Sequence, residues 1–102
     1  MSTPKNKSAG PIPTEQMEDL VAASLILARE GILDAFGHVS MRHPADSSRY
    51  LLSRNLAPEL VTVADIVEYD LDSEPVDPNA PRGFLERYIH GEIYTARPDV
   101  NS

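Results

Sequence analysis

Residues 83–102 of this 102-residue chain read GFLERYIHGEIYTA followed by RPDVNS. Apolar side chains recur in the first part at three- and four-residue spacing, at Leu85, Tyr88/Ile89, Ile93 and Ala96. This spacing predicts an amphipathic helix with one apolar stripe. The helix should end at Arg97, because the residue before a proline is pushed out of the helical conformation.

The same segment carries a carboxylate and an imidazole. Glu86 and His90 lie four residues apart, so in a helix they project from one side, a turn from each other. Such a pair could transfer protons in a reaction, or it could be an ordinary surface pair. The helix by itself leaves both interpretations open.

Composition excludes several classes of protein. The net charge is −7 and the nine basic residues are scattered, which argues against a nucleic-acid-binding face. The absence of cysteine excludes disulfides and thiolate metal sites. No apolar run approaches the roughly 20 residues that a membrane span needs, and the N-terminus does not resemble a secretory signal. We therefore expect a cytoplasmic protein with no nucleic-acid or membrane partner.

The N-terminal third divides into an arm and a helix. Residues 1–13 are polar and contain Pro, Ser and Gly, which predicts a disordered arm. Residues 14–30 read as a helix with Thr14 as its N-cap and Gly31 in the left-handed region after its end. Its expected packing face carries Met17, Val21, Leu25 and Ala28 and is broadened by Leu20 and Ile26/Leu27. Residues 14–102 would then form one partial domain.

The middle of the chain reads as short strands. Between Gly37 and Pro44, Val39 and Met41 alternate with polar residues, as in a half-buried strand. A turn and a second strand at residues 50–53 complete a predicted hairpin. We expect a loop at residues 54–57, one helical turn at 58–61, a third strand at 66–71 and a hairpin tip at Asp72-Ser73. The order helix, hairpin, strand, helix indicates an α/β layered domain.

Five segments, taken in order, resemble the class II aldolase/adducin family. They are Leu27-Ala28-Arg29-Glu30-Gly31, Gly37-His38-Val39-Ser40-Met41-Arg42, Leu52-Ser53-Arg54, Asp65-Ile66-Val67, and Glu86 together with Arg97-Pro98-Asp99-Val100-Asn101. The resemblance covers residues 14–102. It implies a three-layer α/β/α sandwich with a mostly antiparallel central sheet, here truncated.

The resemblance also implies a catalytic residue and a cofactor. Glu86 falls where the aldolases keep their acid/base glutamate. Family members bind a divalent metal, zinc or alternatively manganese or iron, through a His-x-His pair in the next strand and a later third histidine. His38, His43 and His90 do not match these ligands, so we expect the ligands beyond Ser102. The fragment alone is then expected to bind no metal and to be inactive.

The substrate side of the resemblance favours the decarboxylase-type branch. Gly37-His38-Val39-Ser40 stands where sugar-phosphate aldolases have Gly-Asn-x-Ser, and Phe84 and Leu85 replace two serines that hold phosphate there. The resemblance implies an aromatic hydroxy-carboxylate and places substrate contacts at His38, Ser40, Ser53 and Arg54. The alternative for Ser40 and Ser53 is that they are ordinary strand hydroxyls. Arg42 is an alternative to Arg54 as the partner of a carboxylate. His90 would support the site, and His43 would be solvated in a turn.

Two functions remain open at this point. The first is a fragment of a metal-dependent carbon–carbon lyase, a decarboxylase or aldolase acting on a small hydroxy-carboxylate or carbonyl substrate through an enolate. Family members of this kind form homotetramers. The alternative is a non-catalytic, adducin-like interaction or structural module. A His-x-His pair soon after Ser102 would favour the enzyme.

Overall fold

The computed structural model describes residues 8–32 and 37–102. Its elements are helix α1 (Thr14–Arg29), strands β1 (Ser40–Arg42) and β2 (Arg49–Ser53), two 3-10 turns (Pro58–Leu60 and Val63–Asp65), strand β3 (Ile66–Asp70) and helix α2 (Arg87–Ala96). The predicted order of helix, hairpin, strand and helix is confirmed. Neither helix is long and apolar enough to cross a bilayer within the described ranges. The cytoplasmic location stays a prediction.

Helix α1 begins and ends at identifiable backbone signals. Pro13 occupies the N-cap position, so the prediction of Thr14 as the cap was one residue late. Gly31 has φ 72°, and the amides of Gly31 and Ile32 donate to the carbonyls of Ala28 and Leu27 at 3.2 and 2.9 Å. These two bonds form a Schellman motif, which requires the left-handed residue predicted at Gly31.

The buried side of α1 lies within the predicted packing face and includes a serine that was not predicted. Leu20 and Ser24 are the buried residues of the helix, and the Ser24 hydroxyl donates to the Leu20 carbonyl at 3.2 Å. The predicted packing face is half-buried at most of its positions. A serine can replace an apolar residue there because its hydroxyl is satisfied within the helix.

The three strands form an antiparallel sheet in the order β1-β2-β3. Ser40 pairs with Leu52, which pairs with Val67, while Tyr50 pairs with Tyr69. Because side chains alternate across a strand, these five residues share one face of the sheet. Together with Phe84 and with Tyr94 of α2, the apolar members of this face form the core cluster.

Strand β1 buries the opposite residues from those expected. Ser40 and Arg42 are 3% and 7% exposed, whereas Val39 and Met41 are half-buried. The alternation was predicted, but its inner side is the polar one. This arrangement is stable because both polar side chains find partners on α2 and on the segment that follows it.

The turn after β3 brings α2 onto the sheet. Ser73 has φ 65° and its amide donates to the Asp70 carbonyl at 3.0 Å, at the hairpin tip predicted from Asp72-Ser73. Gly91 of α2 lies against this turn, and a Cβ there would stand 2.7 Å from the Leu71 carbonyl oxygen. Only glycine permits so close an approach, which sets the position of α2 on the sheet.

The end of the N-terminal arm lies against the other face of the sheet. The Ser8 hydroxyl and the Ala9 amide donate to the Glu68 carboxylate at 2.7 and 2.9 Å, and Glu68 also pairs with the buried Arg49 at 2.9 Å. Disorder of the arm over residues 1–13 stays a prediction, and residues 1–7 lie outside the described residues.

His43 was predicted to be solvated, and this was wrong. It is 2% exposed, its Nε2–H donates to the Gly10 carbonyl at 3.2 Å, and its Nδ1 accepts from the Ala45 amide at 3.0 Å. The arm thus covers the imidazole and satisfies it. No local pattern in the turn could have shown this, because the partner lies 33 residues away.

Candidate functional site

Four polar side chains form a continuous hydrogen-bonded row between β1 and α2, which we call the histidine network. His38 Nδ1 lies 2.6 Å from His90 Nε2, and His90 Nδ1 lies 2.6 Å from Ser40 Oγ. Ser40 Oγ is in turn 2.8 Å from the Tyr94 hydroxyl. The row runs from the partly buried His38 to the buried Tyr94.

The elements explain why these residues meet. His90 and Tyr94 lie one turn apart on α2, on the side that faces the sheet. Ser40 begins β1, so His38 precedes the strand by two residues and stands at the network's outer end. Sequence reasoning missed Tyr94, although its i,i+4 spacing from His90 was a usable indication.

Arg42 fixes α2 to β1 and does not serve the substrate in this geometry. Its guanidinium donates to four backbone carbonyls, at 3.0 Å for Val100, 2.6 Å for Ser47, 3.1 Å for Tyr94 and 3.0 Å for Arg97. It also lies 4.7 Å from the centre of the Tyr94 ring, in a cation–π position. The alternative in which Arg42 meets a substrate carboxylate does not fit these contacts.

The surroundings of the two imidazoles are largely apolar. The His38 ring centre lies 4.8 Å from that of Phe84 and 4.7 Å from that of His90. Burial, and to a smaller extent the neighbouring His38, lower the pKa of His90 to about 4. Burial also lowers the pKa of His38, while the negative charge of Glu86 acts against this. Both imidazoles are therefore neutral at neutral pH.

Glu86 borders the outer end of the network. It is exposed and occupies the residue before α2, with φ −72° and no side-chain capping bond. Its negative charge acts to raise the pKa of His38, against the effect of burial. His90 bonds to His38 and Ser40 rather than forming the surface pair with Glu86 that the spacing allowed. The supporting position predicted for His90 matches these contacts, and the catalytic role of Glu86 stays a prediction.

The other two predicted substrate residues lie apart from the network. Ser53 is 6% exposed and follows Leu52 in β2, so it faces the opposite side of the sheet. Arg54 Nε pairs with Asp65 at 2.7 Å, and this hydrogen bond is the main reason that the pKa of Asp65 is lowered. The structure therefore brings His38 and Ser40 together but not Ser53 or Arg54. Their contact with a substrate stays a prediction.

A divalent metal does not fit the described residues. Within residues 8–32 and 37–102, no group of three or more His, Cys, Asp or Glu side chains could hold a metal ion. His38 Nδ1 and His90 Nε2 are hydrogen-bonded to each other, so these two nitrogens are not available as metal ligands in this arrangement. Metal ligands beyond Ser102 stay a prediction.

Comparisons with known proteins agree with one another. The family described as Class II Aldolase and Adducin N-terminal domain matches residues 18–102. Decarboxylase tropJ of Talaromyces stipitatus is 48% identical over 79 residues, which are 76% of this chain and 30% of that protein.

Two solved structures are also similar. An aldolase II superfamily protein from Pseudomonas syringae has a TM-score of 0.74 at 26% identity, covering 88% of this chain and 38% of its own. L-fuculose 1-phosphate aldolase from Glaciozyma antarctica has a TM-score of 0.69 at 25% identity, covering 95% and 43%. The chain thus spans less than half the length of each of these relatives.

Proposed function

The chain belongs to the class II aldolase and adducin family, and we propose that it forms the N-terminal part of a carbon–carbon lyase of the decarboxylase type. The match over residues 18–102 confirms the predicted family. The similarity to two solved structures confirms the class II aldolase α/β fold. Within the family, the 48% identity to a decarboxylase supports a lyase of the decarboxylase type over an aldolase acting on sugar phosphates.

The observation that carries the proposal is the position of His38. One nitrogen of its imidazole is hydrogen-bonded to His90, and the charge of Glu86 acts to raise its pKa. In a decarboxylation, the bond to the carboxylate carbon breaks, CO2 leaves, and the electron pair stays on the substrate as an enolate. Glu86 would then transfer a proton to the substrate carbon as the acid/base residue, and His38 would contact a substrate oxygen.

The remaining parts of the proposal concern substrate, cofactor and assembly. We propose a small hydroxy-carboxylate or carbonyl substrate, with Ser40, Ser53 and Arg54 as further contacts. A divalent metal, zinc before manganese or iron, would stabilise the enolate oxygen, as Lewis-acid metals do. The described residues do not hold it, so its ligands are proposed to lie outside them. A homotetramer is the proposed assembly.

A chimaeric enzyme tests this function. The matching 79-residue segment of the Talaromyces decarboxylase would be replaced by the residues of this chain, and turnover of that enzyme's own substrate would be measured. We expect activity to be retained. Glu86→Gln should then reduce kcat by about 10²- to 10⁴-fold, the usual contribution of a general acid or base.

Glu92→Gln is the matched control, because Glu92 is an exposed glutamate on the same helix. It should leave kcat unchanged. A folded chimaera without turnover, or a Glu86→Gln variant with full turnover, would contradict the lyase.

A second candidate function is the adducin-like interaction module. The observation in its favour is the exposed apolar stripe beside and along α2, where Leu85, Ile89 and Ile93 are 71%, 58% and 45% exposed. Exposed apolar side chains grouped in this way mark contact surfaces. A folded but inactive chimaera would favour this module.

A further inference from the structure

The histidine network has one outer end and one inner end, and they are chemically different. At the inner end, the Tyr94 hydroxyl contacts Ser40, and Tyr94 is 2% exposed. At the outer end, His38 uses Nδ1 for His90, which leaves Nε2 directed away from the network. Each of the three bonds can be donated in either direction, so the ends are coupled.

We propose that the buried Ser40 hydroxyl, which lies between Tyr94 and His90, sets the tautomer of His38 through His90, so that His38 presents a neutral Nε2–H donor to an anionic substrate oxygen. The identity of that oxygen, a carboxylate or an enolate, rests on the proposed lyase function. The tautomer itself rests on the contacts alone. His90 and Ser40 are positioning residues in this scheme.

Only two hydrogen-bond patterns keep both imidazoles neutral. In the first, Tyr94 donates to Ser40, Ser40 donates to His90 Nδ1, and His90 Nε2–H donates to His38 Nδ1. The proton of His38 is then on Nε2. In the second, both histidine bonds are reversed, so His38 carries its proton on Nδ1 and its Nε2 is an acceptor, while the bond between Ser40 and Tyr94 can run in either direction.

The inner end favours the first pattern. In the reversed pattern Ser40 accepts from His90, so one bond is left for two buried hydroxyls, and the O–H of either Ser40 or Tyr94 must find another acceptor. Among the described residues, the Ser40 hydroxyl contacts His90 and Tyr94, and the Tyr94 hydroxyl contacts Ser40. A buried donor without a partner is strongly disfavoured, enough for a preference of at least about tenfold. The Arg42 guanidinium over the ring also strengthens the phenol as a donor rather than an acceptor.

The surroundings keep the network neutral. The charged and titratable groups that face it are Glu86 at the start of α2, Arg42 on β1 and Tyr50 on β2, whose ring centre lies 6.3 Å from that of His90. Burial outweighs the one carboxylate and lowers the pKa of both imidazoles. His38 therefore acts as a polar donor rather than as a cation or a general base.

The experiment is long-range ¹H–¹⁵N correlation NMR on the histidine rings of this chain at about pH 7.5, above the pKa range of both imidazoles. In the wild type, His38 and His90 should each show a protonated Nε2 and an unprotonated Nδ1. Ser40→Ala removes the hydroxyl that donates to His90 Nδ1 in the first pattern. The preference should fall from at least about tenfold to near unity, so the two ¹⁵N shifts of His38 converge.

Tyr50→Phe is the matched control, because it removes a neighbouring buried hydroxyl that bonds to Ser73 and the Arg87 carbonyl instead. It should leave the His38 tautomer unchanged. Tyr94→Phe should also keep the Nε2–H tautomer, because the Ser40 hydroxyl still donates to His90 Nδ1. An Nδ1–H tautomer of His38 in the wild type overturns the proposal, and so does a tautomer that Ser40→Ala does not change.

This measurement needs no substrate and no turnover. A network with the expected tautomers beside an inactive chimaera would leave the tautomer assignment intact and contradict only the lyase. An active chimaera together with an Nδ1–H tautomer of His38 would contradict the tautomer assignment and leave the proposed lyase function intact.

Discussion

The two sides of helix α2 carry opposite kinds of residue: the buried side is polar and the exposed side is apolar. The side that faces the sheet carries His90, Gly91 and Tyr94, and it is held by hydrogen bonds to His38 and Ser40. The outer side carries Ile89 and Ile93, with Leu85 just before the helix, and these side chains are about half exposed or more. The inner side is thus the more polar one.

This difference shows what an amphipathic pattern measures. The spacing of apolar residues reports that two kinds of side chain are segregated around the helix, and in most soluble domains the apolar side faces the core. Here the position of α2 is set instead by a glycine that admits the turn after β3 and by polar groups that find partners. A fully hydrogen-bonded polar surface can be buried at little cost. The apolar stripe stays exposed and is available for contact with another surface.

The largest expected effect comes from removing the inner aromatic ring. Tyr94→Ala would leave a cavity in the core cluster of Tyr50, Leu52 and Phe84 and should lower the free energy of unfolding by about 3–5 kcal/mol. Ile93→Ala, one residue earlier on the outer side, should change it by less than about 1 kcal/mol. Urea denaturation followed by circular dichroism measures both. Equal losses would mean that both sides of α2 are packed.

The elements themselves could be predicted because their signals are local. Gly31 ends α1 through its own backbone conformation, and the β1–β2 hairpin follows from alternation around a turn. The family, too, could be recognised from short ordered segments, and with it the fold. In these cases the information lies within a few residues of the feature.

The buried polar residues could not be predicted because their partners are distant. The buried Arg42 donates to the carbonyls of Val100 and Tyr94, more than 50 residues away in sequence. The buried His43 donates to the carbonyl of Gly10. An arginine or histidine without such partners would be expelled from the interior, so local sequence favours exposure. The histidine network could not be predicted for the same reason, because His38 and His90 are 52 residues apart in the sequence. Glu86 could be singled out by resemblance, but its relation to His38 required the fold.

The second prediction uses acid to weaken the inner side selectively. Folding lowers the pKa of His90 from 6.5 to about 4, so between these values the unfolded chain binds more protons than the folded one. The stability due to neutral His90 is therefore present above pH 6.5 and is lost as the pH falls toward 4. We expect a loss on the order of 2 kcal/mol, less than the full shift implies because the imidazole is only partly buried.

His90→Gln separates this effect from the protonation of carboxylates. The glutamine amide can still reach His38 but does not titrate, so its unfolding free energy should fall less between about pH 7 and pH 4 than that of the wild type. Urea denaturation at several pH values gives the two curves. If they run parallel, His90 does not carry the depressed pKa.

The smallest effect is expected on the outer side. Leu85→Ser with Ile89→Ser removes the most exposed part of the stripe, and serine and isoleucine have similar helix propensities, so the change reports on burial at Ile89. The free energy of unfolding should change by less than about 0.5 kcal/mol, since neither side chain is covered in the folded chain. Binding of the apolar dye ANS should fall in the same protein, because the dye needs the exposed stripe. A loss of more than 1 kcal/mol with unchanged dye binding would show that the stripe is packed within the chain. The two sides of α2 would then both belong to the core, and the polar side would no longer be the only one that holds the helix in place.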